Sequence, residues 1–169
     1  VPSKQKEEFI EMISDHKRIL YKIMYSYCKN PEDRKDLEQE IIIQLWGSID
    51  RYDDKYQLST WIYKVALNVA VSHYRKDIVF TEKNVSLDEV IFKVAEDDFS
   101  KELMDSRMAQ LHQFIDKLDP FKKAIIILYL EDKSYKQIGE ILGLTETNVG
   151  SKISRIKHQL KEDFSSIND

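Results

Sequence analysis

The sequence predicts an all-α protein: two small helical domains joined by a flexible linker, the second ending in a helix-turn-helix. Three observations carry this expectation. Gly and Pro are scarce, 4 and 3 in 169 residues, while Leu, Ile, Lys and Glu abound, a composition suited to helices joined by short turns. Apolar residues recur three or four apart in two separate blocks. Between the blocks, residues 77–100 have weak periodicity and clustered acids, and read as a mobile linker. The expected boundaries are 1–77 for the first domain, 78–104 for the linker and 105–169 for the second domain.

In the first block, Phe9, Ile13, Leu20 and Met24 recur near helical spacing and predict one helix over 6–28. Asn30-Pro31-Glu32-Asp33 opens a second helix. Asn caps well, Pro suits the first helical position, and acids favour the positive helix end. This helix reaches about Ser48, with Leu37, Ile41 and Leu45 on one face. Residues 47–58 are polar and turn-rich. Ser59 is expected to cap a third helix to about Lys76. Trp61, Ile62, Val65, Ala66 and Val69 make it apolar over much of its circumference, so it belongs at the centre of its block.

The linker carries a short expected helix over 88–94. The second block begins with a helix over 101–118. Asp119-Pro120 repeats the cap-plus-proline signal and opens 121–130. Ser134-Tyr135-Lys136-Gln137 is a capping box for a short helix to Leu142, which Gly143 ends. Thr145 caps the last helix, to about Lys161.

The formal net charge is −4, and it is unevenly spread. From Lys133 to Lys161 six bases face two acids, whereas 30–54 and 78–105 each hold eight acids against three bases. The basic end also bears the features of a helix-turn-helix. Val149, Ile153, Ile156 and Leu160 fall in a narrow arc at roughly 100° per residue. The opposite arc carries Thr147, Ser151, Ser154 and His158, flanked by Asn148 and Arg155, with Lys152 nearer the core edge. Hydroxyl, amide and guanidinium groups are the types that bond to base edges in a major groove. Lys side chains and the helix N-terminus at Tyr135 suit phosphates. Gly150 costs helix stability but would let the backbone approach DNA closely.

Other classes fit less well. The histidines (His16, His73, His112, His158) are scattered and have no metal-ligand spacing with Cys28, so no metal is expected. No Gly-rich phosphate loop appears, and no cofactor or enzymatic activity is expected. The lone Cys28 forms no internal disulfide and fits a reducing compartment. No run of eighteen apolar residues predicts membrane insertion, and the first residues lack the apolar core of a signal peptide. The expected location is therefore cytoplasmic.

Three stretches in order, Asp36-Leu-Glu-Gln-Glu-Ile-Ile-Ile-Gln-Leu-Trp46, then Arg51-Tyr52-Asp53 with Thr60–Asn68, then Tyr135 to Leu160, resemble the extracytoplasmic-function (ECF) sigma factors. These are the smallest members of the main bacterial sigma family. The resemblance covers about 8–77 and 105–163. It implies an alternative sigma factor that binds core RNA polymerase, recognises promoter DNA, opens it and starts transcription. The implied partners are the clamp helices of the largest subunit, the flap, promoter DNA and an anti-sigma factor. Asp36, Gln39, Glu40 and Ile43 form one stripe of the second helix beside the apolar one, and an acidic stripe suits a basic helical partner.

Single-strand capture uses aromatic rings with nearby cations. Arg51, Tyr52, Lys55 and Tyr56 stand in the loop, and Lys64, Asn68 and Arg75 share a face of the third helix, with Trp61 assigned to packing. The upstream element falls to Tyr135, Thr147, Asn148, Gly150, Ser151, Lys152, Ser154 and Arg155. Ser151 and Arg155 match positions that the family uses for promoter contact. Gly150 and Lys152 depart from the basic residue and the Arg frequent there. The alternative is a helix-turn-helix regulator with an N-terminal sensing or dimerisation domain, and the acidic motif ending in Trp46 argues against it.

Overall fold

The computed structural model describes residues 3–80 and 106–167. Every regular element among them is a helix, and the chain divides into two compact units, Val1–Ser86 and Leu87–Asp169.

The first unit contains α1 (Ser3–Asp15), α2 (Lys17–Tyr27), α3 (Pro31–Ser48), a 3-10 turn (Ile49–Arg51) and α4 (Leu58–Phe80). As expected for an apolar helix, α4 packs against both α2 and α3. Its Ile62, Ala66 and Ala70 are fully buried, as are Ile23 of α2 and Leu37, Ile41 and Leu45 of α3. The four-residue spacing on α3 thus becomes a stripe driven into the core, and burying each such side chain contributes about 1.5–3 kcal/mol. Asn30 caps α3 by accepting the Glu32 amide at 2.8 Å, with Pro31 in the first turn.

Three expectations need correction here. The helix expected over 6–28 is broken at His16, where φ is −113° and ψ 15°. At the break His16 Nδ1 sits 2.9 Å from the Met12 carbonyl oxygen, and the His16 amide is shared between the Met12 and Ile13 carbonyls. Ser59 is not the cap of α4; the helix starts at Leu58, and the Trp61 amide donates to the Gln57 carbonyl. Finally, α4, expected to end at about Lys76, runs on to Phe80, because no Gly or Pro interrupts it. The rest of the expected linker, its short helix over 88–94 and the expected helix start at 101 lie outside the described residues.

The second unit contains α5 (Ser106–Lys117), α6 (Pro120–Leu130), α7 (Tyr135–Leu142) and α8 (Glu146–Ile167). Asp119 caps α6 as expected, accepting the Phe121 and Lys122 amides at 3.1 and 3.0 Å. The apolar run Ala124 to Leu128 is buried on all sides, which fits a helix that meets α5, α7 and α8. Just past the end of α6 the chain turns at Asp132, held at φ +58°, where the Asp132 amide bonds to the Tyr129 carbonyl and the Lys133 amide to that of Leu128. This pair of bonds satisfies carbonyls at the helix end.

Candidate functional site

The turn between α7 and α8 fixes how the last helix is presented. Ser134 Oγ accepts the Gln137 amide at 3.1 Å and Gln137 Oε1 accepts the Ser134 amide at 2.9 Å, completing the expected capping box. α7 ends at Gly143, whose φ of +73° favours glycine, and the Leu144 amide returns to the Gly139 carbonyl at 2.9 Å. Gly139 is buried, and a Cβ there would overlap the Leu144 carbonyl oxygen. The sequence reading named Gly143 and missed Gly139. The available signal was a glycine inside a short helix, where its propensity cost calls for a packing reason. Thr145 Oγ1 then accepts the Asn148 amide at 3.2 Å and caps α8.

Val149, Ile153 and Ile156 anchor α8 with at most 1 % exposure. Opposite them, Thr147, Asn148, Ser151, Ser154 and Arg155 are all exposed. His158 shares that arc, with Nε2 3.1 Å from Glu162 Oε1. The flanks differ in their support. Lys152 is half-buried, its Nζ 5.9 Å from the Phe121 ring centroid. Across the arc, the Tyr135 ring lies against Gly150, so that a Cβ on Gly150 would meet ring carbon Cε2 at 3.4 Å. Lys157 extends this flank with its Nζ 4.4 Å from the Tyr129 ring centroid. A hydrogen bond with Tyr129 pushes the exposed Lys157 amine above its ordinary value. Lys157 was absent from the sequence-based set; its tie to another helix leaves no mark in the local pattern.

In the first unit, Asp36, Gln39 and Ile43 are exposed along α3, beside the buried Leu37–Ile41–Leu45 stripe. Ile43 is 65 % exposed, the most open of the large apolar side chains described. Glu40 belongs to the same face but has a partner: its Oε2 is 3.4 Å from Nδ1 of the buried His73 on α4. Glu38, off this stripe, is half-buried, and that burial raises its carboxyl above the usual range while Lys35 pulls it down.

The loop after α3 is ordered by its own tyrosine. Tyr52 Oη donates to the Tyr56 carbonyl at 2.6 Å, and its ring lies 5.4 Å from Trp61 at 49°. Asp53 Oδ1 accepts the Lys55 amide at 3.1 Å. Arg51, Lys55 and Tyr56 are exposed, Tyr52 and Trp61 half-buried. Lys64 and Asn68 are exposed on α4, and Arg75 follows them in helical register. Trp46 packs edge-on against Phe9, 4.9 Å between centroids, and lines a groove of about 570 Å³ with Phe9, Met12, Tyr52 and Leu58. Among the described residues, no cluster of His, Cys, Asp and Glu could hold a metal ion, and no helix is long and apolar enough to cross a membrane.

Comparison with known proteins assigns both units. Residues 12–77 match sigma-70 region 2, and residues 108–160 match sigma-70 region 4. The RNA polymerase sigma factor SigV of Bacillus subtilis is 30 % identical over 162 residues, which cover 92 % of this chain and 93 % of SigV. The chain belongs to the ECF RNA polymerase sigma factors.

The ECF sigma factor SigW of B. subtilis is similar along 94 % of this chain and 89 % of its own length, at 26 % identity. Two solved structures share the fold. CnrH in complex with the cytosolic domain of CnrY has a TM-score of 0.66 at 18 % identity, covering 95 % of this chain and 90 % of that one. RpoE in complex with the anti-sigma factor NepR, from Bartonella quintana, also scores 0.66, at 19 % identity and coverages of 94 % and 95 %. This sigma factor therefore directs promoter recognition and transcription initiation by RNA polymerase. The region 2 match sets aside an N-terminal sensing or dimerisation domain of a regulator.

Proposed function

We propose that this sigma factor divides its work among three faces, without catalysis of its own and without metal or cofactor. Asp36, Gln39, Glu40 and Ile43 on α3 hold the clamp helices of the polymerase largest subunit. Arg51, Tyr52, Lys55 and Tyr56 in the loop, with Lys64, Asn68 and Arg75 on α4, hold the melted downstream strand. Tyr135, Thr147, Asn148, Gly150, Ser151, Lys152, Ser154 and Arg155 bind the upstream element as duplex, and the same unit meets the polymerase flap. The work is cytoplasmic, where polymerase is.

The carrying observation is Ile43, 65 % exposed in line with Asp36 and Gln39, on a helix whose neighbouring stripe is fully buried. An exposed isoleucine among acids on an otherwise well-packed helix suits a partner that buries it and brings positive charge. The loop supports its role through exposed Tyr56 beside Arg51 and Lys55, a stacking ring with cations at hand. An anti-sigma partner is part of the proposal: the related fold of RpoE is bound by the anti-sigma factor NepR, and CnrH by CnrY.

Asp36→Arg combined with Ile43→Asp tests the polymerase face. Both positions are exposed, so the fold is expected to stay intact by circular dichroism. Affinity for core polymerase should fall by about two orders of magnitude or more, since like-charge contacts cost several kcal/mol. Undiminished co-elution with core polymerase by a folded double variant would reduce the stripe to a solvated surface.

A further inference from the structure

We propose that His73 is a positioning residue that holds the Glu40 carboxylate ready for RNA polymerase. The inference rests on the assignment of the α3 stripe as the polymerase face and adds a residue from a different helix to it. His73 is 9 % exposed on α4, the helix packed against α3, so its ring is fixed by its surroundings. Its Nδ1 lies 3.4 Å from Glu40 Oε2. An ionised carboxylate only accepts, so the ring nitrogen facing it carries the proton and donates. The Glu40 side chain nevertheless remains 45 % exposed against 11 % for that of His73. One end of this pair is thus anchored in the core while the other stays open to a partner.

Glu40 differs in this from its neighbours on the stripe. Among the described residues, neither Asp36 nor Gln39 has a comparable tie to α4. A freely rotating glutamate must be immobilised when a partner docks, and that ordering opposes binding. A glutamate already bonded to a packed ring loses less, and its charge stands where the partner's cation arrives. The buried histidine is far from Glu40 in sequence and outside every motif named for polymerase contact, so only the packing of α4 on α3 brings them together.

The test measures affinity of the full chain for core RNA polymerase, with thermal unfolding of each variant as the control for folding. His73→Asn keeps an amide nitrogen where Nδ1 stands, whereas His73→Gln places its nitrogen nearer the position of Nε2. His73→Asn is expected to stay within about twofold of the wild type, and His73→Gln to bind roughly three- to tenfold more weakly, the cost of ordering one long side chain. In a Glu40→Ala chain, His73→Gln should add no further loss. The inference is overturned if His73→Gln binds as the wild type does, if Asn and Gln weaken binding alike, or if the Gln effect persists in full without Glu40. Failure of the underlying assignment looks different: Asp36→Arg and Glu40→Ala would then both bind polymerase as the wild type does. Affinities are compared well below the melting temperature of the least stable variant, so loss of fold cannot mimic either result.

Discussion

Arg155 and Lys152 stand on the same helix in unlike surroundings. Arg155 is exposed on the polar arc, while Lys152 is half-buried with its ammonium near the Phe121 ring. A guanidinium projecting from the middle of a reading helix suits a base edge; a lysine held at the rim suits a phosphate. Arg155→Ala is therefore expected to relax preference at one promoter position by about 1–3 kcal/mol. Lys152→Ala, and likewise Lys157→Ala on the opposite rim, should weaken binding to all sequences alike and lower the salt slope by about one unit. Titration over single-base promoter variants at several salt concentrations separates the two patterns, and an Arg155→Ala chain with unchanged affinity and preference would remove α8 from the groove. The polar arc itself was legible because helical spacing alone decides which side chains oppose Val149, Ile153 and Ile156. Pairings such as Lys157 with Tyr129 or Glu40 with His73 were not, since each joins two helices whose packing no local pattern states.

Helix ends were legible for the same reason that distant pairs were not. Asn30, Asp119, Ser134 and Gly143 act through bonds that close within a few residues, so the local sequence contains the whole interaction. The break at His16 escaped because no Gly or Pro announces it. The end of α4 escaped because a helix lacking a breaker continues, and the composition change at 77 is not one. Two glycines of the helix-turn-helix now predict opposite outcomes. Gly139→Ala pushes a methyl into the Leu144 carbonyl and should destabilise the second unit by about 1–3 kcal/mol. Gly150→Ala meets the Tyr135 ring at ordinary contact distance and should be neutral or stabilising by up to about 1 kcal/mol, through helix propensity. Thermal melts of the two single variants decide this, and equal losses at both sites would contradict the geometry of the turn.

At the scale of the whole molecule, the chain divides at Ser86 and Leu87 into two units, each with its own buried set. A unit with its own core is expected to fold alone. Fragments 1–86 and 87–169 should each show helical circular dichroism and a cooperative melt, and their summed spectrum should match that of the intact chain. The first fragment should retain affinity for core polymerase and the second for upstream duplex. A fragment that is unfolded alone yet regains helix on mixing would show that the units support one another. The all-α class and the division into two were legible in Gly and Pro scarcity and in the separate periodic blocks. The net charge of −4 concealed the function, because the six bases between Lys133 and Lys161 that suit a nucleic-acid partner are outnumbered elsewhere.

Gly139 has a consequence for how such a protein changes over time. The crossing of α7 and α8 is set by a backbone carbonyl seated where a side chain would otherwise stand, and by the reversal at Gly143. Thr147, Ser151, Ser154 and Arg155 stand exposed on the side of α8 away from the buried Val149, Ile153 and Ile156. If this arc reads the upstream element as proposed, the mount of the reading helix is separate from the side chains that read. Exchanges at Thr147, Ser151, Ser154 and Arg155, made one at a time, are then expected to alter the promoter vocabulary while the mount keeps its angle.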